Sequence, residues 1–477
     1  MSKKRVLTTL VVVLLLLSGL LVYRRHRPEP AGPSDSEDKP APELTLNQSE
    51  EGELVKIVLS SAGEKLVLKY GEDGWQVEPA PLVSVDTYKL SSIVESFRSF
   101  QADRILLDTV EDLAEFGLAT PRATAVLSFR DGTEKTFYLG DETPTGNGYY
   151  LMKEGDPRLY VVAYRYGGQF TATPTDLRER SLPEINTENL TLFLLKRSGA
   201  PAIEIKPVGP EGSPDGVPLG RWVMTKPYRR AYTVNDEKFS ALLSKITSLR
   251  IDEFVHDRPA DLGPYGLESP RAEVRIADGG NSLHLLFGAT VDGKTYFKYA
   301  DQPMVFAVNN VDRGFLTVKP DELIFRYACM VDIKKVDRIV VEGAGQTYDL
   351  RITREEAPAG EEEGAAGAGG EETAGPELVE TFFVNGREVP EDAFRTFYQT
   401  LIGLSGEGEV QHQPAGTAEV RTSFYLNEGE EQPVIVSYVP YNQDFYAIVR
   451  DGLAEFAISR DQVARMLKEL AALAQEN

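Results

Sequence analysis

Two hydrophobic periods alternate along this chain, and their order recurs. Residues 55–59, 66–70 and 75–77 alternate apolar with polar positions, the pattern of strands with one buried face. Leu90, Ile93, Val94, Phe97 and Phe100 then fall at i, i+3, i+4, i+7 and i+10, a single apolar stripe on a helix. Alternation returns at 123–129, 136–139, 149–153 and 159–162, broken by turns such as Asp131-Gly132. The stripe recurs as Phe239, Leu242, Leu243, Ile246 and Leu249, and again as Phe394, Phe397, Tyr398, Leu401 and Leu404. Around the third stripe, residues 338–341 and 348–352 precede, and 419–426, 434–438, 445–449 and 455–458 follow. Asp86 and Asn235 stand four residues before their stripes, where an N-cap belongs, while Pro390 and Glu391 suit a first helical turn.

Residue identities repeat as well. Trp75 matches Trp222, Asp112-Leu113 through Gly117-Leu118 matches Asp261-Leu262 through Gly266-Leu267, and Pro121-Arg122-Ala123 matches Pro270-Arg271-Ala272, with offsets of 147 to 149 residues. Self-similarity at a fixed period marks one module used several times. The expected fold is therefore α+β: three repeated units over 49–185, 186–330 and 331–477, each a mainly antiparallel sheet with one packed amphipathic helix and a short terminal helix. One hairpin turn varies among the copies, at 71–74, 207–220 and 354–377. The last carries eight acidic residues among Gly and Ala and reads as a disordered surface excursion.

The N-terminus breaks the pattern. Residues 6–23 are an apolar run between Lys3, Lys4, Arg5 and Arg24, Arg25, Arg27. Eighteen helical residues span about 27 Å, near the thickness of a hydrocarbon core, which predicts a transmembrane helix. A cleaved signal is the rival reading, but the run ends in Leu-Val-Tyr-Arg-Arg, a poor cleavage site. The short basic tail, residues 1–5, favours a cytoplasmic N-terminus, with the bulk of the chain exported from the bacterial cytoplasmic membrane. Residues 24–48 read as a flexible Pro-rich and acidic linker.

The net charge of −23 argues against nucleic acid as a partner, because a phosphate backbone needs a basic face. A single cysteine, Cys329, excludes an intrachain disulfide and multi-cysteine metal or iron–sulfur sites, and is expected to be buried and inert. No cofactor, metal ligand set or catalytic constellation is expected. His256, His284 and His412 are far apart in sequence. Gly288 to Thr295 matches the P-loop pattern in letters, but strand-like Tyr296-Phe297 follows where a helix is required, so a hairpin turn explains it. Asp112 and Asp261 should cap short turns that Gly117 and Gly266 end. Trp75 and Trp222 should pack in cores. The candidate recognition surface is the loop of Thr143, Pro144, Thr145, Gly146, Tyr149 and Tyr150, in which glycine permits close approach and tyrosines offer stacking faces; the rival reading is a wide hairpin with the alternate tyrosine buried.

Gly74-Trp75-Gln76-Val77, the run from Asp112 to Ala123, and Gly140-Asp141 through Gly148-Tyr149-Tyr150 together resemble the bacterial DUF4340 family, a domain of unknown function. The resemblance is strongest over residues 50–185. It implies an extracytoplasmic, membrane-tethered protein, often encoded beside ABC-type transporters, and supplies no catalytic residues. The expected function is that of a non-enzymatic interaction or scaffold protein, accessory to a transporter or envelope assembly, with the membrane and a protein such as a transporter permease as partners. The competing readings are a binder of an envelope glycan or other ligand, with exposed aromatics near Tyr149 or Tyr441, and an envelope hydrolase.

Overall fold

The computed structural model describes residues 44–209, 220–309, 314–356, 378–427 and 432–475. The expected anchor at 6–23, most of the linker, and residues 357–377 of the acidic insertion lie outside the described residues. Among the described residues no helix is long and apolar enough to cross a membrane. The chain divides into two compact units, the first ending at Glu179 and the second beginning at Arg180.

The first unit contains strands β1 (Thr45–Gln48), β2 (Leu54–Ser61), β3 (Glu64–Gly71), β4 (Gly74–Glu78), β5 (Ser99–Gln101), β6 (Arg104–Leu107), β7 (Ala123–Phe129), β8 (Glu134–Glu142), β9 (Gly148–Lys153) and β10 (Leu159–Ala163), with helices α1 (Thr87–Arg98) and α2 (Arg165–Phe170). Eight strands form one antiparallel sheet in the order β4-β3-β2-β7-β8-β9-β10-β6, and β1 pairs with β5 beside it. The linker therefore ends earlier than expected. Residues 45–48 form a strand, with Leu46 and Asn47 buried and the Asn47 amide donating to the carbonyl of Phe97 at 2.7 Å.

The second unit holds two more such sheets. The strands β11 (Leu190–Arg197), β12 (Ala200–Pro207), β13 (Trp222–Lys226), β14 (Tyr232–Thr233), β15 (Glu253–His256), β16 (Ala272–Asp278), β17 (Ser282–Val291), β18 (Lys294–Tyr299) and β19 (Val305–Asn309) carry helices α3 (Asp236–Thr247) and α4 (Gly314–Thr317). The strands β20 (Val336–Gly343), β21 (Gln346–Glu356), β22 (Leu378–Val384), β23 (Arg387–Val389), β24 (Gly408–Glu409), β25 (Val420–Leu426), β26 (Val434–Pro440), β27 (Phe445–Arg450) and β28 (Leu453–Ser459) carry α5 (Glu391–Ile402) and α6 (Arg460–Leu473). Their orders are β14-β13-β12-β11-β16-β17-β18-β19-β15 and β23-β22-β21-β20-β25-β26-β27-β28-β24. All three sheets obey one rule. The opening hairpin strands run outward from the first strand, the closing meander runs the other way, and a strand placed after the helix closes the far edge.

The fold is mainly β, with three large antiparallel sheets, each carrying one longer amphipathic helix and one helix near its end. The strands that escape the pattern include β1, β5, β6, β14, β15, β23 and β24, none longer than four residues, and β22, which lies beyond the insertion. That insertion also starts later than expected. β21 continues to Glu356, paired with Leu378 on β22, and Arg354 bridges Asp337 at 2.8 Å and Glu380 at 2.9 Å. Five tight hairpins share type I′ chemistry, with positive φ at both central residues: Ala62-Gly63, Asp292-Gly293, Ala344-Gly345, Asn385-Gly386 and Asp451-Gly452.

Each helical stripe is the helix side of a core. All fifteen stripe residues are buried, but only the first four of each stripe lie on the helix: Phe100 is on β5, and Leu249 and Leu404 follow the ends of α3 and α5. Phe97 meets Phe170 edge-on at 5.1 Å, Phe239 meets Phe193 at 5.2 Å, and Phe394 meets Phe382 at 4.8 Å. Each such side chain stabilises by about 1.5–3 kcal/mol before its entropy cost. The predicted caps form: Asp86 accepts from the amide of Lys89 at 3.0 Å, and Asn235 from that of Lys238 at 3.1 Å. Pro390 sits at the cap position itself, one residue before the first turn.

Within the second unit the connector is zipped to both sheets, which is why no division falls between them. Leu323 accepts from the amide of Asn235, Ile324 pairs with Val234, and the amide of Phe325 donates to Thr233. Beyond it, Tyr327 pairs with Ser405, the amide of Ala328 donates to Leu404, and the amide of Gly406 donates to Arg326.

Candidate functional site

The predicted recognition loop joins β8 to β9 and is closed by its own bonds. The amide of Thr143 donates to Gly148 and that of Gly146 to Thr143, both at 2.8 Å. The Thr143 hydroxyl is buried against Asn147 at 3.2 Å, while Thr145 bonds the same Asn147 oxygen at 2.6 Å. Tyr149 is a core residue, packed against Gly167 so closely that a Cβ there would come within 2.3 Å of its ring, and stacked on Tyr164. Burial pushes the Tyr149 phenol up, with Tyr164 adding to the shift. Tyr150 packs edge-on against Phe116 at 5.0 Å. Pro144, Thr145 and Gly146 are exposed. The loop is thus a wide hairpin with its alternate tyrosine buried, and Tyr149 offers no stacking face. Tyr441, the other aromatic singled out, is half-buried with its ring against His412 at 4.8 Å.

Three further motifs resolve into architecture. The P-loop-like letters are the β17–β18 hairpin, where Lys294 pairs with Glu253 at 2.6 Å. Asp112 accepts from the amide of Ala114 at 2.8 Å and Asp261 from that of Gly263 at 2.7 Å, each opening a short turn that Gly117 (φ 68°) or Gly266 (φ 65°) ends. Those turns lie against Gly140 and Gly288, where a Cβ would come within 2.1 Å of the Phe116 and Tyr265 carbonyl oxygens. Trp222 is buried, Trp75 only partly. Cys329 is buried, in an irregular stretch of the connector. Among the described residues no group of three or more His, Cys, Asp or Glu side chains could hold a metal ion.

Two concavities stand out. In the first unit, an apolar groove of about 630 Å³ runs under the Asp112 turn, lined by Leu113, Leu118, Pro121, Tyr138, Met152 and Pro157. In the second unit, a cleft of about 280 Å³ lies where the second and third sheets meet. Arg229, Arg230, Arg326 and Arg450 line it, together with Asp451 and Glu455. Tyr232, Tyr327 and Phe456 line it too, and Tyr228, outside the lining, packs mutually with Tyr232 and Phe456 at 5.1–5.2 Å. Glu455 accepts from the amide of Arg229 at 2.7 Å and from the Tyr232 hydroxyl at 2.9 Å, and Glu409 accepts from the Tyr228 hydroxyl at 2.6 Å. Burial, reinforced by those carboxylates, holds both phenols far above their ordinary range, so they stay protonated donors. Arg230 lies over the Tyr232 ring at 5.3 Å. Arg326 is held by Asp321 and by the carbonyl of Glu407, both at 3.2 Å.

No local motif marks this cleft, because its residues come from three separated segments. One signal was present. Gly74 to Val77 aligns with Arg221 to Met224, and carrying that alignment forward sets Arg229-Arg230 opposite Leu82-Val83, a basic pair that the first copy lacks.

The family model for a domain of unknown function, DUF4340, matches residues 75–220 and 222–382. The two stretches open on Trp75 and Trp222, in phase with the repeat. No curated protein and no solved structure matches the chain. Matched over most of its length in two consecutive stretches, the chain belongs to the DUF4340 family.

Proposed function

We propose that this protein is a non-enzymatic, membrane-tethered extracytoplasmic scaffold, built by triplication of one sheet-and-helix module and accessory to a transporter or other envelope assembly. Residues 6–23 are its single-pass anchor and the acidic stretch after them its tether. The observation that supports this reading is the likeness of the three sheets, which share one strand order apart from the short edge strands β14 and β23 that the first sheet lacks, while one copy alone carries the arginine pair. A repeated module with varied surfaces is the build of an interaction protein.

The architecture also bears on where contacts form. The outermost strands β4, β6, β14, β15, β23 and β24 run only two to five residues, the usual protection of a sheet against edge pairing. Partners therefore meet faces and grooves rather than edges. The test is crosslinking in intact cells followed by identification of the joined proteins. A membrane partner lost on deletion of residues 1–27, and lost again with Leu113→Glu in the apolar groove, is the expected result. Recovery of the chain with no envelope protein attached would sink the reading.

A further inference from the structure

We propose that the apolar groove of the first unit holds an acyl chain of a membrane phospholipid. This rests on the membrane-tethered reading and deepens it, by naming what the groove takes from the bilayer.

The lining comes first. Phe137, Leu139, Leu151, Tyr160 and Val162 belong to the core on the helix side of the sheet. Tyr138, Met152 and Leu159 alternate with them along β8, β9 and β10 and so face the other way, the side on which the groove runs. Across that face Tyr138 pairs with Met152, and Leu159 pairs with Leu107 on β6. Leu113, Leu118 and Pro121 complete the wall from the Asp112 turn. The polar side chains of the lining are few and grouped. Besides the Tyr138 hydroxyl they are Lys153, Glu154 and Asp156, from the end of β9 and the turn after it. Asp156 is already taken by Arg158 at 2.8 Å and by the Tyr160 hydroxyl at 2.7 Å. Apolar walls with so little hydrogen-bonding capacity select hydrocarbon rather than a ligand read by its polar groups. The volume of about 630 Å³ falls within the range of small-molecule sites.

The second argument separates packing from purpose. In the second sheet His256 takes the place of Leu107, pairing with Val305, and Lys298 takes the place of Met152, pairing with Leu286. The module therefore folds with polar side chains at both positions, and folding alone does not call for the leucine and the methionine.

The third argument is place. Six of the nine exposed large apolar side chains among the described residues lie in the first unit, so apolar surface is concentrated there. Leu106, Leu107 and Leu113 are among them: Leu113 lines the groove, and Leu106 and Leu107 end the strand that leads into its turn. This unit also follows the apolar run of residues 6–23 directly. Residues 24–43 reach at most about 70 Å even at full extension, which keeps the groove within range of a bilayer. An acyl chain that passes straight from bilayer to groove exchanges one hydrocarbon surrounding for another, whereas a path through water would wet every methylene. Exposed leucines beside the groove supply the membrane contact which that direct passage needs. Loss of the membrane partner in Leu113→Glu then follows from lost seating on the bilayer.

The test is photolabelling of the full chain in nanodiscs, where lipid is the sole partner. The probe is phosphatidylcholine carrying a diazirine midway along one acyl chain, and the control is the same lipid with the diazirine on its headgroup. Adducts are mapped by mass spectrometry. We expect acyl-probe adducts on residues 106–121 and 150–157 as well as on 6–23, and fewer groove adducts from the headgroup probe. Leu107→His and Met152→Lys each install the residue of the second sheet and should lower the groove adducts at least about fivefold relative to those on 6–23. Adducts on 6–23 with none in the groove overturn the proposal and leave the anchor standing. Adducts in the groove with none on 6–23 support the groove and sink the anchor instead. Groove adducts equal from the two probes, or unchanged in both variants, also overturn it; the comparison of probes needs only the wild-type chain and does not depend on how a variant folds. A groove that stays unlabelled in nanodiscs but crosslinks to a protein in intact cells belongs to a protein segment, which overturns the proposal as well.

Discussion

The first two sheets and the third have the same strand order but close differently. In the first two, an aspartate opens a short turn, a glycine ends it, and a second glycine lets that turn lie directly on a strand. The third sheet has no such turn; residues 410–419 take another course, with His412 stacked on Tyr441. Its terminal helix α6 is fourteen residues long, against six in α2 and four in α4. In the third sheet Gly343 meets the flexible end of Leu467 rather than a backbone carbonyl. Topology is thus set by the alternation of strands and the stripe on the helix, while what covers the rest of a sheet is free to diverge.

The comparison can be broken most forcefully at its shared part. Phe239→Ala, in a fully buried stripe position, should cost about 3–5 kcal/mol in guanidinium melts. A comparable loss for Phe394→Ala would affirm that the third stripe does the same job; a loss below about 1 kcal/mol there would deny it. Next come the glycines. Gly140→Ala and Gly288→Ala drive a methyl into a carbonyl oxygen and should each cost about 2–3 kcal/mol. Gly343→Ala asks that side-chain methyls of Leu467 and Val420 give by a few tenths of an ångström and should cost under about 1 kcal/mol. Equal losses at all three would erase the distinction drawn here. Smaller still, Asp112→Ala and Asp261→Ala should each cost about 0.5–1 kcal/mol, read as a fall in melting temperature.

The smallest effect is one of pH. Glu204 on β12 is gripped by Lys206 at 2.9 Å, Lys226 at 3.0 Å and Thr225 at 2.8 Å, which bring its carboxyl down to about 2. Asp349 on β21 plays the same part in the third sheet: burial pushes it up, but Arg338 and Arg351 outweigh this and hold it below its usual value. A depressed carboxyl stabilises the fold above its ordinary pKa and loses that contribution as pH falls through the folded value. Glu204→Gln should therefore cost about 0.5–1 kcal/mol at neutral pH, and wild type and variant should converge as pH drops from 4.5 toward 2. A gap that persists at pH 2 would mean that packing, not charge, sets the penalty.

These outcomes also bear on what the sequence made legible. The three stripes, the capping residues, the Asp–Gly turns and most long strands were readable because each depends on local periodicity or on turn chemistry. Strand order was not, since it rests on pairing between distant segments such as β6 with β10. The short edge strands carry too few residues to show alternation. Glycines such as Gly140 gave no warning of their packing, because a close approach leaves no trace in neighbouring letters. The arginine cleft was hidden for a related reason: Arg229, Arg326 and Arg450 meet only after two sheets are joined.

The connector at residues 324–328 gives that joint its mechanical character. Backbone bonds flank it on both sides, so within five residues one segment is tied to the middle sheet and to the C-terminal one. A partner that displaces Leu404, Ser405 or Gly406 therefore acts on the same short segment that holds Thr233, Val234 and Asn235.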